Sequence, residues 1–286
     1  MTEPISIGVI GGSGLYTMPE LTDVTTQAVA TPFGKPSADV VIGTLGSKRV
    51  AFIPRHGIGH YFTPTTVPYR ANVCALKMLG ARFILAVNAC GSLREDYVPG
   101  HIVVPDQLVD YTKADRGRSF FDSGLVAHVS VADPFCTELN AICAQAVRDV
   151  GGTVHEGGMY ITIEGPRFST RAESQIFRQL GGSIIGMTTC PEAFLAREAE
   201  IAYTTMSHIT DYDVWHDEPV SSALVMKTFH ENLRTAQKAL ARAVEMIDPA
   251  ADYASHHALD GAIMTDPSVR RIDRLRPIVG RLFPNG

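Results

Sequence analysis

Four short segments concentrate the residues able to do chemistry. Asp211-Tyr212-Asp213 carries two carboxylates two positions apart, and on an extended segment such residues point to the same side. Like charges that close raise one pKa. One member can then hold a proton and donate it to a ring nitrogen, while the other accepts from an exocyclic amine. An ordinary aspartate titrates near about 3.9, so holding a proton at neutral pH costs roughly 4 kcal/mol, which only a dry, substrate-filled site would supply. The same pair in a loop could equally bind a metal or cap a helix. Arg55-His56-Gly57 follows an apolar strand. The arginine fork suits phosphate oxygens and the histidine adds a hydrogen bond, but one of the 30 acidic residues could equally neutralise Arg55. Gly11-Gly12-Ser13-Gly14 is not a dinucleotide fingerprint, because Thr17 stands where Gly or Ala is needed, and no P-loop lysine is present. What remains is a small turn whose amides and Ser13 hydroxyl can approach an anion, or a plain structural turn. In Glu164-Gly165-Pro166-Arg167-Phe168-Ser169, Phe168 could stack on a base or simply pack in its turn.

These residues need a scaffold, and the chain supplies one. Short apolar runs at Ile5–Ile10, Val40–Thr44, Arg49–Pro54, Phe83–Val87, His101–Val104, Met159–Ile163, Ser183–Met187 and Ile201–Met206 read as strands. Those at Val40–Thr44 and Arg49–Pro54 form a hairpin. Helical spacing appears at Tyr69–Leu79, Phe135–Val150, Arg171–Leu180, Pro191–Ala199 and Ser221–Ile247. Strands alternating with helices predict an α/β fold, a single domain over residues 1–286 with a central mixed β-sheet covered on both faces. In such sheets ligands bind off the carboxyl ends of strands. Ser13, Arg55-His56, Asn88-Ala89, Met187-Thr188 and Asp211-Tyr212-Asp213 all stand at such ends, so five loops could converge on one pocket. The stretch after Asp248 is irregular. Its arginines from Arg270 to Arg281 read as a solvated helix face, and residues 248–286 as a segment available for a lid or a subunit contact.

With 286 residues the chain can bury about 75% of its unfolded surface, and needs no disulfide or metal to fold. Apolar residues at 45% and charged residues at 19% exclude disorder. A net charge of −5 gives no reason to expect a nucleic acid or a membrane as partner. The five scattered cysteines, without a CxxC pair, argue against zinc and for a reducing compartment, most simply the cytoplasm.

The ordered set of segments resembles the trimeric purine nucleoside phosphorylases. It comprises Gly11-Gly12-Ser13-Gly14-Leu15, Thr31-Pro32-Phe33-Gly34-Lys35-Pro36-Ser37, Arg55-His56-Gly57, Asn88-Ala89-Cys90-Gly91-Ser92-Leu93-Arg94-Glu95, Thr162-Ile163-Glu164-Gly165-Pro166-Arg167-Phe168-Ser169, Met187-Thr188-Thr189 with Pro191-Glu192, and Thr210-Asp211-Tyr212-Asp213 with Trp215. Within that family it is most similar to members that cleave 5′-methylthioadenosine. The resemblance implies a homotrimer in which phosphate attacks the anomeric carbon of a 5′-modified adenosine and adenine leaves, with no metal and no cofactor beyond phosphate as co-substrate. It implies phosphate among Ser13, Arg55, His56, Asn88, Ala89 and Thr188. Met187 would lie under the sugar, Asp211 and Asp213 at the purine edge, Phe168 on the ring, and Ser169 would help set base choice. Ser222 and Val225 would lie near the 5′ group, and His128 would reach a neighbouring subunit's site. An ionised carboxylate facing the oxygen of a 6-oxopurine is repelled, so two aspartates favour a 6-aminopurine. Asn88, where methylthioadenosine-cleaving members usually carry Thr, is familiar from 6-oxopurine relatives, and Ser222 stands where a valine usually lines the 5′ pocket. A 6-oxopurine nucleoside phosphorylase, a nucleosidase using water, and a non-catalytic nucleoside-binding protein are the alternatives.

Overall fold

The computed structural model describes residues 5–12, 14–216 and 221–283. Eleven strands form one mixed sheet: β1 (Ile7–Gly11), β2 (Leu21–Gln27), β3 (Val40–Leu45), β4 (Lys48–Pro54), β5 (Phe83–Ser92), β6 (Ile102–Val104), β7 (Gln107–Tyr111), β8 (Val154–Glu156), β9 (Met159–Ile163), β10 (Gly182–Gly186) and β11 (Ala202–Asp211). The helices are α1 (Tyr69–Met78), α2 (Thr137–Asp149), α3 (Arg171–Gln179), α4 (Thr189–Glu198), α5 (Ser222–Met246) and the short α6 (Arg276–Val279).

The order β2-β3-β4-β1-β5-β10-β9-β7 forms the main path, with β11 joining β5 to β6 and β8. β5 is the hinge of this arrangement. One edge pairs with β11 from Phe83 to Gly91. The other pairs with β1 only as far as Ala86, then with β10 from Gly91 onward. Between those two partners the edge at residues 87–90 meets no strand. A crevice opens there, off the carboxyl end of β1.

Apolar side chains alternate across the sheet as the pleat requires. Ile7, Val9, Phe83, Leu85 and Val87 face a core shared with α2 and α5. Ile10, Ile84 and Ala86 face a second core shared with α1, α4 and α6. All five cysteines are free and buried.

The structure extends or corrects several sequence expectations. β5 does not break at Asn88; it runs on to Ser92, and β11 runs on to Asp211. Asn88, Ala89 and Asp211 therefore lie on strands, while Arg55, His56, Met187, Thr188 and Asp213 follow the strand ends as expected. β2, β7 and β8 have few fully buried residues, with patterns that carry little apolar alternation. The arginines after residue 269 are not a solvated helix face but mostly surface staples. Arg274 reaches Asp122 and the Pro32 carbonyl, and Arg281 reaches Glu200 and Asp260. No helix among the described residues is long and apolar enough to cross a membrane.

Candidate active site

The crevice is a cavity of about 250 Å³. Its floor is the unpaired edge of β5, with Val87, Asn88, Ala89, Cys90 and Gly91 among its lining. The Val87 carbonyl faces the β1 side, where it accepts from Arg55 Nη1 at 3.1 Å. Backbone groups alternate sides along a strand, so the Ala89 amide faces the same way, into the gap. The Cys90 carbonyl faces the opposite side, where it accepts from Thr210 Oγ1.

Arg55 lines the cavity yet does not offer a free fork. Its Nε and Nη2 donate to the two carboxylate oxygens of Glu192 at 2.8 and 2.9 Å, and Nη2 also donates to the Ile10 carbonyl at 3.2 Å. With Val87, four of its five N–H groups are taken. Both partners are almost wholly buried, and Tyr203 Oη donates to Glu192 at 2.9 Å. Burial works against the Arg55 charge, the Glu192 carboxylate more than offsets it, and the pKa is held above its ordinary value. The ion pair weighed from the sequence is thus present, but inside the site. Glu192 belongs to the Met187–Glu192 stretch that carries the family resemblance, but α4 also holds Arg197 and Glu198, so its acidity alone does not single it out.

His56 Nδ1 lies 2.9 Å from the Phe62 carbonyl, to which it can only donate. Burial and the adjacent Arg55 charge push its pKa down to about 4, so the ring is neutral near pH 7 and Nε2 carries a lone pair. Asn88 donates from Nδ2 to Thr205 at 2.9 Å and Thr189 at 3.3 Å, while its buried Oδ1 has no partner. Thr188 precedes α4 and also lines the cavity.

Asp211 and Asp213 both line the cavity, but not as two residues of one extended segment. Asp211 ends β11, and Asp213 lies in the following turn with φ of 52°. The Asp213 amide donates to Asp211 Oδ1 at 2.8 Å, and Thr210 Oγ1 donates to Asp211 Oδ2 at 2.8 Å. Gly91 makes room for them, since a Cβ there would lie 2.9 Å from Asp211 Oδ1. Burial raises Asp211 to about 6, helped by the Asp213 charge. Burial also raises Asp213, opposed by the nearby Ser174 and Ser169 hydroxyls. Those hydroxyls and Asp213 Oδ2 are buried without a hydrogen bond of ordinary geometry.

The loop carrying Phe168 and Ser169 is clamped at both ends. Glu164 accepts from Thr65, from the amides of Lys113 and Ala114, and from Arg116. Despite partial burial, these donors pull its pKa down to about 2. Arg167 pairs with Glu173, whose carboxylate closes a capping box with Thr170 at the start of α3. Arg116, which sequence reasoning missed, also donates to the Met187 carbonyl at 2.6 Å and the Cys190 carbonyl at 3.2 Å. One fully buried guanidinium therefore ties together two walls of the cavity.

The structure thus gathers Arg55, His56, Asn88, Ala89, Phe168, Ser169, Met187, Thr188, Asp211, Asp213 and Val225 around one cavity. His60, Pro64 and Met226 join them. Ser13 lies outside the described residues. Tyr212 stacks on His216 and does not line the cavity, nor does Ser222. His128 lines a separate depression with Arg118 and Glu198. No described residue after Met226 lines the cavity. Among the described residues no group of three His, Cys, Asp or Glu is placed to hold a metal ion.

The chain is similar to known proteins over nearly its whole length. The family model described as Phosphorylase superfamily matches residues 6–245. The S-methyl-5'-thioadenosine phosphorylase of Chloroflexus aurantiacus is 50% identical, over 97% of this chain and 98% of its own length. That of Geobacter sulfurreducens is 48% identical over 96% and 98%. A methylthioadenosine phosphorylase from an antarctic soil metagenomic library superimposes with a TM-score of 0.91 at 44% identity, covering 98% of this chain and 99% of that one. The Schistosoma mansoni methylthioadenosine phosphorylase in complex with adenine gives 0.85 at 39% identity, covering 93% and 99%.

Proposed function

This chain belongs to the phosphorylase superfamily, and from that premise we propose that its cavity carries out the phosphorolysis of 5′-methylthioadenosine to adenine and 5-methylthioribose 1-phosphate. The chain is a pentosyltransferase of purine and methionine salvage. The observation that carries this reading is the spacing along β5. The Ala89 amide and the Gly91 notch that admits Asp211 are two residues apart, about 6.6 Å of strand. A nucleoside laid along that edge would have its base at the aspartates and its anomeric carbon toward the anion donors.

In the reaction a phosphate oxygen forms the new bond at the anomeric carbon as the bond to the purine breaks. The bonding pair goes to the base, which leaves neutral once it takes a proton from the Asp211–Asp213 pair. The phosphate dianion stabilises the cationic ribosyl species. Its donors are the Ala89 amide, Thr188 and the remaining Arg55 N–H, and the family resemblance adds Ser13. Asn88 Oδ1, buried and unpartnered, can accept from a ribose hydroxyl. Phosphate is the co-substrate, and the reaction calls on no other cofactor and no metal.

The 5′ side favours a thioether over a hydroxyl. Val225 and Met226 line the cavity and the polar Ser222 does not, so a methylthio group meets apolar atoms. His128 and its separate depression fit a homotrimer in which this residue completes a neighbour's cavity, in the cytoplasm of the cell.

The test is a substrate panel varying base and 5′ group, with and without phosphate. Adenine release from 5′-methylthioadenosine that depends on phosphate is expected. Preferential hypoxanthine release would establish a 6-oxopurine phosphorylase, and equal release without phosphate a nucleosidase.

A further inference from the structure

We propose that Glu192 is a positioning residue that makes the phosphate cradle electrically neutral, so that the dianion is held by dipoles and single hydrogen bonds rather than by a free guanidinium. The inference rests on the phosphorylase reading and goes a step further into the same site.

Arg55 is the one permanent cation among the described residues lining the cavity. Its charge is cancelled in place by the Glu192 carboxylate, through two hydrogen bonds at 2.8 and 2.9 Å. The pair is shut away from solvent, with side-chain exposures of 2% and 1%. Tyr203 and the Ile10 and Val87 carbonyls hold both partners in orientation. Two cationic side chains near these walls are likewise paired, Arg116 with Glu164 and Arg167 with Glu173. His56 is held by the Phe62 carbonyl and is neutral at neutral pH.

An uncompensated buried arginine would grip a phosphate dianion in a charge-assisted pair. That grip would be as strong before the reaction as during it, and such uniform binding lowers KM without raising kcat. Phosphate here is the nucleophile. A neutral cradle leaves its charge available to the ribosyl cation that forms beside it. The pair also fixes Arg55 so that a single Nη1 hydrogen remains for the anion, which sets an orientation without adding net charge.

Glu192→Gln preserves size and removes the compensating charge. The expected result is a phosphate KM lowered by about fivefold or more with kcat reduced, and a nucleoside KM changed by less than about twofold. Glu192→Asp keeps the charge and is expected to restore phosphate KM to within about twofold of the parent. A purely structural Glu192 would instead raise phosphate KM in the Gln variant, and that result overturns the proposal. Breaking a buried pair can prevent folding, so a second measurement uses the unmodified enzyme. Its phosphate KM is expected to change by less than about twofold between about 20 and about 500 mM NaCl, whereas a several-fold rise would reveal an uncompensated cation. Base release that needs no phosphate would sink the phosphorylase reading itself. Phosphate-dependent release with a raised phosphate KM in the Gln variant would sink this inference alone.

Discussion

The backbone amide of Asp213 donates to Oδ1 of Asp211 at 2.8 Å, so the second member of the acidic pair holds the first in place through its main chain. The turn that achieves this puts Asp213 at φ of 52°. The same turn carries its own carboxylate into the cavity, where Oδ2 is buried without a partner. Both side chains thus line the cavity, while only Asp211 has both oxygens engaged.

Asp211 should make the enzyme less stable at the pH where it works. Burial raises its pKa from 3.8 to about 6, so the native state binds this proton more tightly than the unfolded chain. Below about 3.8 both states carry it and nothing is lost. As pH rises through about 6 the native carboxylate ionises, and above that the full penalty of roughly 3 kcal/mol is present. Asp211→Asn keeps the acceptor for the Asp213 amide and removes the charge. It is expected to be more stable at pH 8 by up to about 3 kcal/mol, with no advantage below about pH 4, and to lose activity by about 100-fold or more. Chemical denaturation at the two pH values decides it; equal stabilities at pH 8 would be the contrary result.

Arg116 is expected to serve the nucleoside and not the phosphate. Its guanidinium bonds the Met187 and Cys190 carbonyls and Glu164 at once, so its loss loosens the cavity wall at Met187 and the loop carrying Phe168. Arg116→Lys retains charge but cannot reach three acceptors in one plane. Nucleoside KM should rise by about tenfold with phosphate KM little changed, and stability should fall by about 3 kcal/mol. Steady-state kinetics with each substrate varied in turn separates this from general unfolding, which would lower the active fraction and leave both KM values unchanged.

Gly186 has no room for a methyl group. A Cβ there would lie 1.9 Å from the Tyr160 hydroxyl, and Tyr160 is fully buried. Gly186→Ala is expected to cost about 2–3 kcal/mol and to displace the adjacent Met187. The Tyr160 hydroxyl has no hydrogen-bond partner, so Tyr160→Phe alone should cost less than about 1 kcal/mol. Combining the two should recover part of the loss, since the ring carbon still stands 2.8 Å from the new Cβ. Melting curves of the single and double variants measure the coupling.

Much of the site was legible because its residues are chemically conspicuous at strand ends. Asn88-Ala89 and Asp211 were placed near one another by the rule that ligands bind off the carboxyl ends of strands, and the register of β5 against β11 does bring them together. The pairing of Arg55 with Glu192 was not legible. It joins residues 137 positions apart, and no local pattern says which acid a buried arginine will find. Arg116 was missed for the same reason, because its acceptors are mostly backbone carbonyls. The continuation of β5 and β11 past their apolar runs was hidden too. Their polar ends are buried by the cavity and by each other rather than by an apolar face.

His56 should make the enzyme discriminate between phosphate and sulfate. Its Nδ1 hydrogen is committed to the Phe62 carbonyl, and a pKa near about 4 leaves the ring neutral at working pH. Nε2 then offers a lone pair, which can accept the one P–OH of hydrogen phosphate. Sulfate has no proton to give near neutral pH, so its oxygens would face that lone pair unpaired, at a cost of about 1–3 kcal/mol. At pH 8 sulfate is expected to compete with phosphate at least about fivefold more weakly than their similar size suggests, while arsenate, which carries the same proton, substitutes well. Because the folded pKa lies below the ordinary 6.5, the ring charges only as pH falls through about 4. Sulfate inhibition should therefore strengthen toward that pH, and the His56 ring resonances should stay those of the neutral form above about pH 5. Sulfate that competes equally well at pH 8 would show that His56 donates to the anion, and that its tautomer is the reverse of the one the Phe62 contact dictates.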